Sequence, residues 1–186
     1  MSIEDPPIPT GLSAGAPTLL KLRYLWVSLG VVVLDQWTKW LVEVHLPWHV
    51  AQPIIPGFLN LTHVRNTGVA FGLFAADGVS TTSWTLTALG LLALAAVGVY
   101  FWIASPHDRG LLVALALVVG GAVGNLIDRV ASGAVTDFID VYFGAHHWPS
   151  FNVADSAISI GIVLMAIDSL RSRKTTAHAS EPQSAS

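Results

Sequence analysis

The sequence predicts an integral membrane protein that is mainly α-helical, with four transmembrane helices and a small β-element on the outer face of the membrane. Hydrophobic residues make up 53% of the 186-residue chain and charged residues only 11%, and the mean hydropathy is +0.61. An average soluble domain carries about one-quarter charged residues. Long apolar stretches and a one-sided distribution of Lys and Arg support the same fold class, and the length suits a single domain.

Four apolar stretches are long enough to cross a bilayer core, which requires about 20 helical residues. They cover residues 22–44, 82–104, 110–127 and 153–170. The middle two contain the uncharged runs LTALGLLALAAVGVYFWIA and GLLVALALVV, whereas the first and the fourth carry aspartates. The sequence therefore predicts four spans, and the middle two have the clearest membrane character.

The basic residues predict the orientation of the chain. Six of the nine fall at the same ends of the four stretches, and they are Lys21, Arg23, Arg109, Arg171, Arg173 and Lys174. The positive-inside rule assigns that side to the cytoplasm. Both termini are then expected inside, and the loops at 45–81 and 128–152 outside. Tryptophans at 37, 40, 48, 84 and 148 stand near the outer boundary, as interfacial residues would.

We expect a single membrane domain, residues 21–174, between two disordered cytoplasmic tails. Residues 1–20 contain no basic residue and no small-residue cleavage site follows the first apolar run, so a cleavable signal peptide is not predicted. Residues 175–186 are rich in Ser, Ala and Thr. The absence of cysteine excludes a disulfide framework, a thiol nucleophile and a thiolate metal site. The net charge of −3 argues against a nucleic-acid partner.

The β-element is predicted in the first outer loop. In PIIPGFLNLTHVRNTGVAFGLF, Leu59 and Leu61 alternate with polar residues ahead of the turn signal Asn66-Thr67-Gly68. Alternation followed by a turn sequence is typical of strands. We therefore expect a short strand pair in this loop.

Ionisable residues cluster at the outer ends of the predicted spans, although charged groups at membrane depth are costly unless they are paired, hydrated or functional. Asp35 and Lys39 in DQWTK stand four residues apart with the acid first, as in a helical ion pair. Such a pair serves either to end the first helix at the interface or as a scaffold that holds a site open. Asp128 and Arg129 end the third stretch.

The third stretch ends in GGAVGNLIDRV, which combines small and polar residues. Gly120 and Gly124 have the spacing of small residues in helix contacts within lipid, which favours a packing role. Asn125 and Arg129 stand four residues apart and project from one face at the outer end. Their side chains are suited to binding a carbonyl group or a headgroup, or to snorkelling towards the interface.

Two aspartates have no oppositely charged neighbour in sequence. Asp155 in FNVAD stands three residues after Asn152, so that Asn152 is predicted to cap the fourth helix with Asp155 favourably placed near its positive end. Asp137 in VTDF reads, taken alone, as a solvated loop acid. Each residue therefore has an ordinary structural explanation when it is considered separately.

Considered together, Asp137 and Asp155 suggest a pair of carboxylates in a cleft at the membrane edge. Two carboxyl groups brought close together do not both ionise readily, so one keeps its proton while the other acts as a base. This is the working state of an aspartic protease, in which the base activates water and the acid protonates the scissile carbonyl. Apolar neighbours of Asp137, which are Val135, Phe138 and Phe151, favour it as the more readily protonated member.

Competing chemistries have weaker support. The chain has no Gly-x-Ser-x-Gly elbow and no His-Glu-x-x-His helix, and His146 and His147 are better explained by a surface loop than by a metal site. A small proton-coupled transporter or channel subunit is the main alternative, and it predicts acids at mid-membrane depth. A non-catalytic assembly subunit is a third interpretation, which leaves the two aspartates unexplained.

Five motifs together resemble the lipoprotein signal peptidases, or signal peptidase II. They are DQWTK in the first helix, RNTGVAFGL in the outer loop, GGAVGNLIDR ending the third helix, VTDF after it, and FNVADSAISIG opening the fourth. They span residues 35–161 in the family's order and spacing. The family usually has a second Val where this chain has Thr136, a small departure that leaves the assignment of Asp137 intact.

The resemblance implies a bacterial inner-membrane aspartic endopeptidase that cleaves diacylglyceryl-modified prolipoproteins just before the lipidated cysteine, with its active site at the outer face. It implies Asp137 and Asp155 as catalytic residues, with Asn66, Asn125, Arg129 and Asn152 contacting the substrate or an inhibitor. Supporting residues by the same resemblance are Asp35, Lys39, Gly68, Asp128 and Ala154. It further implies contact with membrane lipid, globomycin-like inhibitors, a monomer, and no metal or organic cofactor.

Overall fold

The computed structural model describes residues 20–68 and 79–179. Within them the main helices are α1 (Leu25–His45), α2 (Val79–Ile103), α3 (Arg109–Ser132) and α4 (Val153–Ala179). Three segments are long and apolar enough to cross a membrane, namely Trp84–Ile103, Arg109–Ser132 and Val153–Arg171. The fold is therefore mainly helical with three candidate membrane spans among the described residues.

Helix α1 differs from the other three in composition. It is 21 residues long, which is enough for a span, but it carries Asp35, Lys39 and Glu43. These charges separate it from the purely apolar helices. Among the described residues, length and composition together support three of the four predicted spans, and α1 is not among these three.

Two helices extend beyond the predicted spans. Helix α3 continues to Ser132 instead of ending at 127, so the predicted outer loop from 128 begins in helix; Gly133, at φ +74°, supplies the left-handed residue that ends it. Helix α4 begins at Val153 as predicted, but it continues to Ala179 because neither Gly nor Pro follows Gly161 until Pro182. Residues 175–179 are therefore helical, while the remainder of both predicted tails, 1–19 and 180–186, lies outside the described residues.

A small antiparallel sheet covers one end of the helical bundle, which the sequence predicts to face outward and which we call the outer end. Its strands are β1 (Gln52–Ile55), β2 (Leu59–Asn66), β3 (Val135–Phe143) and β4 (His146–His147), in the order β1-β2-β3-β4. The predicted strand pair in the first outer loop is present as β1 and β2. Its turn precedes β2 and contains Gly57 at φ +82°, whereas Asn66 ends β2.

Strand β3 joins the two outer loops and was predicted only as loop. It pairs with β2 in a register that sets Val64 opposite Asp137 and Asn66 opposite Val135. Because paired residues and residues two apart share a face of a sheet, Asn66 and Asp137 face the same side. After β4 the chain runs back beside β3, where the backbone of Phe151 exchanges two hydrogen bonds with that of Ile139. Helix α4 begins two residues later.

The helices pack through small residues on α3. A Cβ atom at Gly120 would lie 2.8 Å from the Ser28 carbonyl oxygen of α1, and one at Gly124 would lie 2.6 Å from Asp35 Oδ2. The predicted packing role of these glycines is confirmed. The close approach brings the polar side chains of α1 directly against α3, below the sheet.

Candidate active site

Asp155 is fixed by the start of helix α4. The Asn152 side chain accepts a hydrogen bond from the Asp155 backbone N–H at 2.9 Å, which confirms the predicted cap. In return, Asp155 Oδ2 lies 3.3 Å from the Asn152 backbone nitrogen, which donates to it. This reciprocal arrangement is a capping box. It orients the carboxylate while Oδ1 stays available to the neighbouring helix.

Asp137 is held on strand β3 by two amide groups. Its side chain is 2% exposed, and it accepts hydrogen bonds from Asn66 Nδ2 at 3.0 Å and from Asn152 Nδ2 at 2.8 Å. The Gly68 N–H donates to Asn66 Oδ1 at 2.8 Å and Gly68 has φ +83°, so the predicted turn residues orient the Asn66 amide. With its oxygen occupied by the turn, the amide directs its NH₂ towards Asp137.

Asn125 and Asn152 connect the two carboxylates. Asn125 Nδ2 donates to Asp155 Oδ1 at 2.7 Å, and Asn152 Nδ2 lies 3.2 Å from Asn125 Oδ1 and 2.8 Å from Asp137 Oδ1. Asn152 is fully buried. A continuous set of hydrogen bonds therefore runs from Asp155 through the two amides to Asp137. Strand β3, helix α3 and helix α4 all contribute to this cluster.

The electrostatic environment favours a proton on Asp137. The pKa of Asp137 is raised to about 6, mainly by burial of the carboxyl group. The negative charge of Asp155 raises it further. Hydrogen bonds from Asn66 and Asn152 and the charge of Lys39 oppose the rise without cancelling it. The apolar neighbours predicted this direction.

Asp140 lies on the same strand, but its pKa is lowered instead of raised. Burial raises its pKa, but hydrogen bonds from Asn60 and His147 outweigh that effect and leave the pKa below its ordinary value. Asn60 Nδ2 lies 2.9 Å from Asp140 Oδ2, and His147 Nδ1 lies 2.8 Å from Asp140 Oδ1. Two carboxyl groups three residues apart on β3 thus have different protonation properties.

A buried ionic cluster lies beneath the amides. Lys39 Nζ is 2.8 Å from Asp35 Oδ2, 2.8 Å from Asp128 Oδ2 and 3.0 Å from Asn125 Oδ1. The side chains of Lys39 and Asp35 are 3% and 0% exposed. The predicted Asp35–Lys39 ion pair is therefore present, and it packs between α1 and α3 instead of ending α1 at an interface.

Sequence reasoning missed some members of this network. Gln36 Nε2 donates to Asp128 Oδ1 at 2.9 Å and to the Gly124 carbonyl at 3.2 Å. Thr136 Oγ1 donates to Glu43 Oε1 at 2.7 Å. The position of Gln36 beside Asp35 in DQWTK could have indicated a role in this network. Adjacent residues of a helix point in different directions, however, so the sequence did not predict that both side chains contact the cluster. Glu43 carries no such signal.

Ala154 and Arg129 occupy different positions around the cluster. Ala154 is fully buried, and a Cβ atom at Gly124 would lie 3.4 Å from its methyl group, so α3 and α4 meet here through small residues. Arg129 remains within α3, with Nη1 3.5 Å from the Asn125 carbonyl. It does not join the amide network, and it lines a neighbouring groove.

This groove is an apolar cavity of about 440 Å³ between α2, α3 and α4. Polar groups are concentrated near the outer end of its lining, where Asn125, Arg129 and Asp155 contribute. Its apolar walls include Leu86, Leu94, Val97, Val118, Ile158 and Met165. One of the two aspartates is thus accessible from a space between the helices that is suited to hydrocarbon.

Two further clefts adjoin the aspartates. One, of about 440 Å³, lies between α4 and the segment before it and is lined by Trp148, Phe151, Asp155 and Ile160 among others. The other, of about 260 Å³, is next to β2 and contains Asn66, Thr67, Asp137, Pro149 and Ser150. The two carboxyl groups are therefore reached from different sides.

Sequence and structure comparisons with known proteins agree on the family of this chain. The family model described as Signal peptidase (SPase) II matches residues 27–171. The chain belongs to the signal peptidase II family. A lipoprotein signal peptidase of Desulforapulum autotrophicum is 49% identical over 144 residues, which cover 77% of this chain and 88% of that one. A lipoprotein signal peptidase of Syntrophus aciditrophicus is 44% identical over 149 residues, covering 77% and 89%.

Solved structures agree with the sequence relatives. One, described as a bacterial membrane enzyme determined by the in meso method at 1.9 Å resolution, has a TM-score of 0.67 and 35% identity over 84% of this chain and 94% of that one. A second, at 2.3 Å, has a TM-score of 0.66 and 32% identity, covering 93% and 96%. As a signal peptidase II, the protein is an integral membrane aspartic peptidase. This favours a peptidase over the transporter, channel and assembly-subunit interpretations.

Proposed function

We propose that this signal peptidase II removes the signal peptide from diacylglyceryl-modified prolipoproteins by cleaving the peptide bond before the lipidated cysteine. The observation that carries the proposal is the buried hydrogen-bond connection between Asp137 and Asp155, with Asp155 opening onto an apolar groove between helices. A pair of acids supplies peptide hydrolysis, and an apolar groove accepts a substrate that arrives within the bilayer. The lipoprotein signal peptidases among its relatives support the same substrate class.

In the proposed reaction, Asp155 is the base and Asp137 the acid. Ionised Asp155 takes a proton from a water molecule between the carboxyl groups, and the water oxygen attacks the scissile carbonyl carbon. Protonated Asp137 gives its proton to the carbonyl oxygen, forming a geminal diol. The carbon–nitrogen bond then breaks as Asp155 returns its proton to the leaving amine, while Asp137 recovers a proton from a diol hydroxyl. Both acids finish in their starting protonation states.

The assignment of acid and base rests on the surroundings of the two groups. Burial raises the pKa of Asp137 to about 6, which favours its protonated form. Asp155 lies in the first turn of α4, where the helix dipole favours a negative charge, and Asn125 donates a hydrogen bond to it. These environments separate the two roles in the way that acid–base catalysis requires.

The polar residues around the acids are proposed to position the substrate backbone. Asn66, Asn125 and Asn152 hold their amides beside the acids, and Arg129 stands at the polar end of the groove. A guanidinium group there is suited to a backbone carbonyl or a lipid ester oxygen. Globomycin-like inhibitors are expected to compete for these same groups.

The clefts match the chemical parts of the substrate. The signal peptide and the diacylglyceryl group are apolar, and the groove between α2, α3 and α4 has an apolar lining. The beginning of the mature lipoprotein is a polar chain that must leave the membrane, and the smaller cleft beside Asp137 contains Asn66, Thr67 and Ser150. We assign the mature chain to that smaller cleft. The lipid anchor restricts the orientation of the scissile bond before it reaches the acids.

We further propose that α1 is the fourth span of a monomeric domain, residues 21–174, with both termini in the cytoplasm and the acids at the outer face. The charges that distinguish α1 are largely inward, since Asp35 and Lys39 are buried against α3. Its outer surface exposes Trp26, Leu29, Val33, Trp37, Trp40 and Val44, which are suited to lipid. The inner ends of the helices carry the basic residues, as the positive-inside rule requires.

The proposal is tested with purified protein in detergent and a diacylglyceryl-modified prolipoprotein. We expect a product that begins at the lipidated cysteine, identified by mass, and loss of cleavage in Asp137→Asn and in Asp155→Asn. Asp140→Asn is the matched control, because Asp140 is another buried acid on β3 but contacts Asn60 and His147 instead of the dyad. It should retain cleavage.

Lipid dependence is tested with the unlipidated form of the same precursor. We expect it to be cleaved much more slowly, because it lacks the apolar group that the groove accepts. Cleavage at an equal rate would contradict the assigned role of the lipid anchor. Full activity in either dyad variant, provided that the protein is folded, would contradict the assigned catalytic pair.

A further inference from the structure

The residue before each proposed catalytic aspartate donates its backbone N–H to the carboxylate of another aspartate. Asp35 Oδ1 accepts a hydrogen bond from the backbone N–H of Ala154, next to Asp155, at 2.9 Å. Asp128 Oδ2 accepts one from the backbone N–H of Thr136, next to Asp137, at 3.3 Å. One carboxylate therefore anchors the start of α4, and a second anchors strand β3.

A single ammonium group connects these two anchors. Lys39 Nζ lies 2.8 Å from Asp35 Oδ2 and 2.8 Å from Asp128 Oδ2, and its third contact is Asn125 Oδ1 at 3.0 Å. That third contact fixes the Asn125 amide so that its NH₂ donates to Asp155. Lys39 has three donors, and each has an acceptor. We refer to Asp35, Lys39 and Asp128 as the ionic clamp.

Burial makes the geometry of the clamp rigid. The side chains of Asp35, Lys39 and Asp128 are 0%, 3% and 11% exposed. Charges removed from water are tolerated only when their partners are close and well oriented, so a displaced partner is strongly unfavourable. Such clusters contribute little net stability compared with apolar packing. A role in fixing geometry explains the clamp better than a role in stabilising the fold.

We propose that Lys39 is a positioning residue that sets the separation of Asp137 and Asp155 by joining the two carboxylates that hold their neighbouring backbone groups. The proposal rests on the proposed function of the two aspartates. It assigns Lys39 no contact with the substrate. Its effect is instead on how strongly the two acids interact, because the interaction between two titrating groups depends steeply on their distance.

The groups around Asp137 define the expected pH behaviour. The charged groups that act on it are Asp155 from α4 and Lys39 from α1, while Asn66 from β2 and Asn152 ahead of α4 are neutral donors. From α3, Asp128 holds the N–H of the preceding residue. If Lys39 is removed, the acids no longer keep a fixed separation, and Asp137 loses a positive charge that lowers its pKa, so the pH dependence of cleavage should change.

The test compares Lys39→Met with the double variant Asp35→Asn/Lys39→Met. The clamp has a formal charge of −1, and the double variant keeps that charge on Asp128 and retains a side-chain oxygen for the Ala154 N–H. We expect kcat on the lipidated precursor to fall about 10- to 100-fold in both variants, as for a displacement of catalytic groups on the order of 1 Å. KM should stay within about threefold, so that the loss falls on kcat, and the pH profile of kcat/KM should differ from that of the wild type.

Ser28→Ala is the matched control for packing between α1 and α3. Ser28 is buried on α1 and its Oγ donates to the Ala116 carbonyl of α3 at 2.7 Å, remote from the clamp. It should leave kcat and the pH profile unchanged. Thermal unfolding of each variant reports whether it is folded.

Two results overturn the proposal. In the first, the folded double variant keeps the wild-type kcat and pH profile. In the second, neither Lys39 variant folds, which would make Lys39 a residue for global stability instead of positioning. Failure of the proposed function is distinguishable, because it would appear as activity in Asp137→Asn or Asp155→Asn whatever the Lys39 variants do.

Discussion

The inner and outer halves of the helical bundle are held together by different interactions. At the inner end, Tyr24, Phe101, Leu111, Leu112 and Leu115 form an apolar core cluster. At the outer end, the contacts between α1, α3, α4 and β3 are largely hydrogen bonds and ion pairs among buried polar side chains.

The difference separates stability from geometry. Apolar packing is non-directional and contributes most of the favourable free energy of folding. Buried polar contacts contribute less net stability but require defined distances and orientations. The inner half is therefore expected to determine whether the protein folds, and the outer half to determine where its two acids lie.

The largest expected effect is loss of activity on removing Asn152. Asn152→Ala deletes the amide that contacts Asp137 and Asn125 and also removes the cap that orients Asp155. We expect kcat/KM to fall by at least about 100-fold, comparable to other disruptions of catalytic geometry. The measurement is cleavage of the lipidated precursor.

Asn60→Ala is the control for this loss. Asn60 is also a buried asparagine that donates to a buried aspartate, Asp140, on the same sheet. We expect its kcat/KM to stay close to wild type. An equal loss in both variants would indicate that any disturbance of the sheet impairs catalysis, and the separation between the two halves would fail.

The next effect is a loss of stability at the inner end. Leu112 is fully buried in the apolar cluster, and Leu112→Ala should reduce the free energy of unfolding by about 2–5 kcal/mol through lost burial and a cavity. The kcat of the folded fraction should be unchanged. Denaturant unfolding in detergent and cleavage at saturating substrate measure the two quantities. A large fall in kcat at constant KM would contradict the division of roles.

The smallest of these effects is a pH-dependent contribution of Asp137 to stability. Its pKa rises from 3.8 to about 6 on folding, so the folded protein binds a proton more tightly than the unfolded chain. The stabilisation is complete below pH 3.8 and is lost as the pH rises through about 6. Relative to Asp137→Asn, wild type should lose about 2–3 kcal/mol between pH 4 and pH 8. A pH-independent difference between the two proteins would contradict the raised pKa.

Local signals in the sequence predicted much of the outer half. The three-residue spacing of Asn152 and Asp155 indicated a capping arrangement, and the four-residue spacing of Asp35 and Lys39 indicated an ion pair. Both depend on helix geometry within one turn, and both are present. The turn at Gly68 is equally local, and its N–H contact with Asn66 follows from turn chemistry.

Contacts between distant segments could not be predicted in the same way. The strand that carries Asp137 forms by pairing with residues about seventy positions earlier, and no local pattern specifies that register. Gln36 faces Asp128 only because α1 and α3 approach closely at Gly124. The residues alone suggested that Asp137 and Asp155 form a pair, and the resemblance to a family supported that pairing.

Whether α1 spans the membrane also depends on contacts between distant segments. Composition separates it from the other helices because it carries three charges, yet Asp35 and Lys39 turn inward and are buried against α3. A charge on a helix counts against membrane insertion when it faces lipid, and much less when it is paired within the bundle. That distinction requires the packing of the neighbouring helix.

The most direct test of the account is a double-mutant cycle on the two aspartates, measured as cleavage of the lipidated precursor by folded Asp137→Asn, Asp155→Asn and the double variant. If the two carboxyl groups act as one catalytic unit, the double variant should be no slower than either single variant. Independent contributions, in which the two losses multiply, would contradict the account.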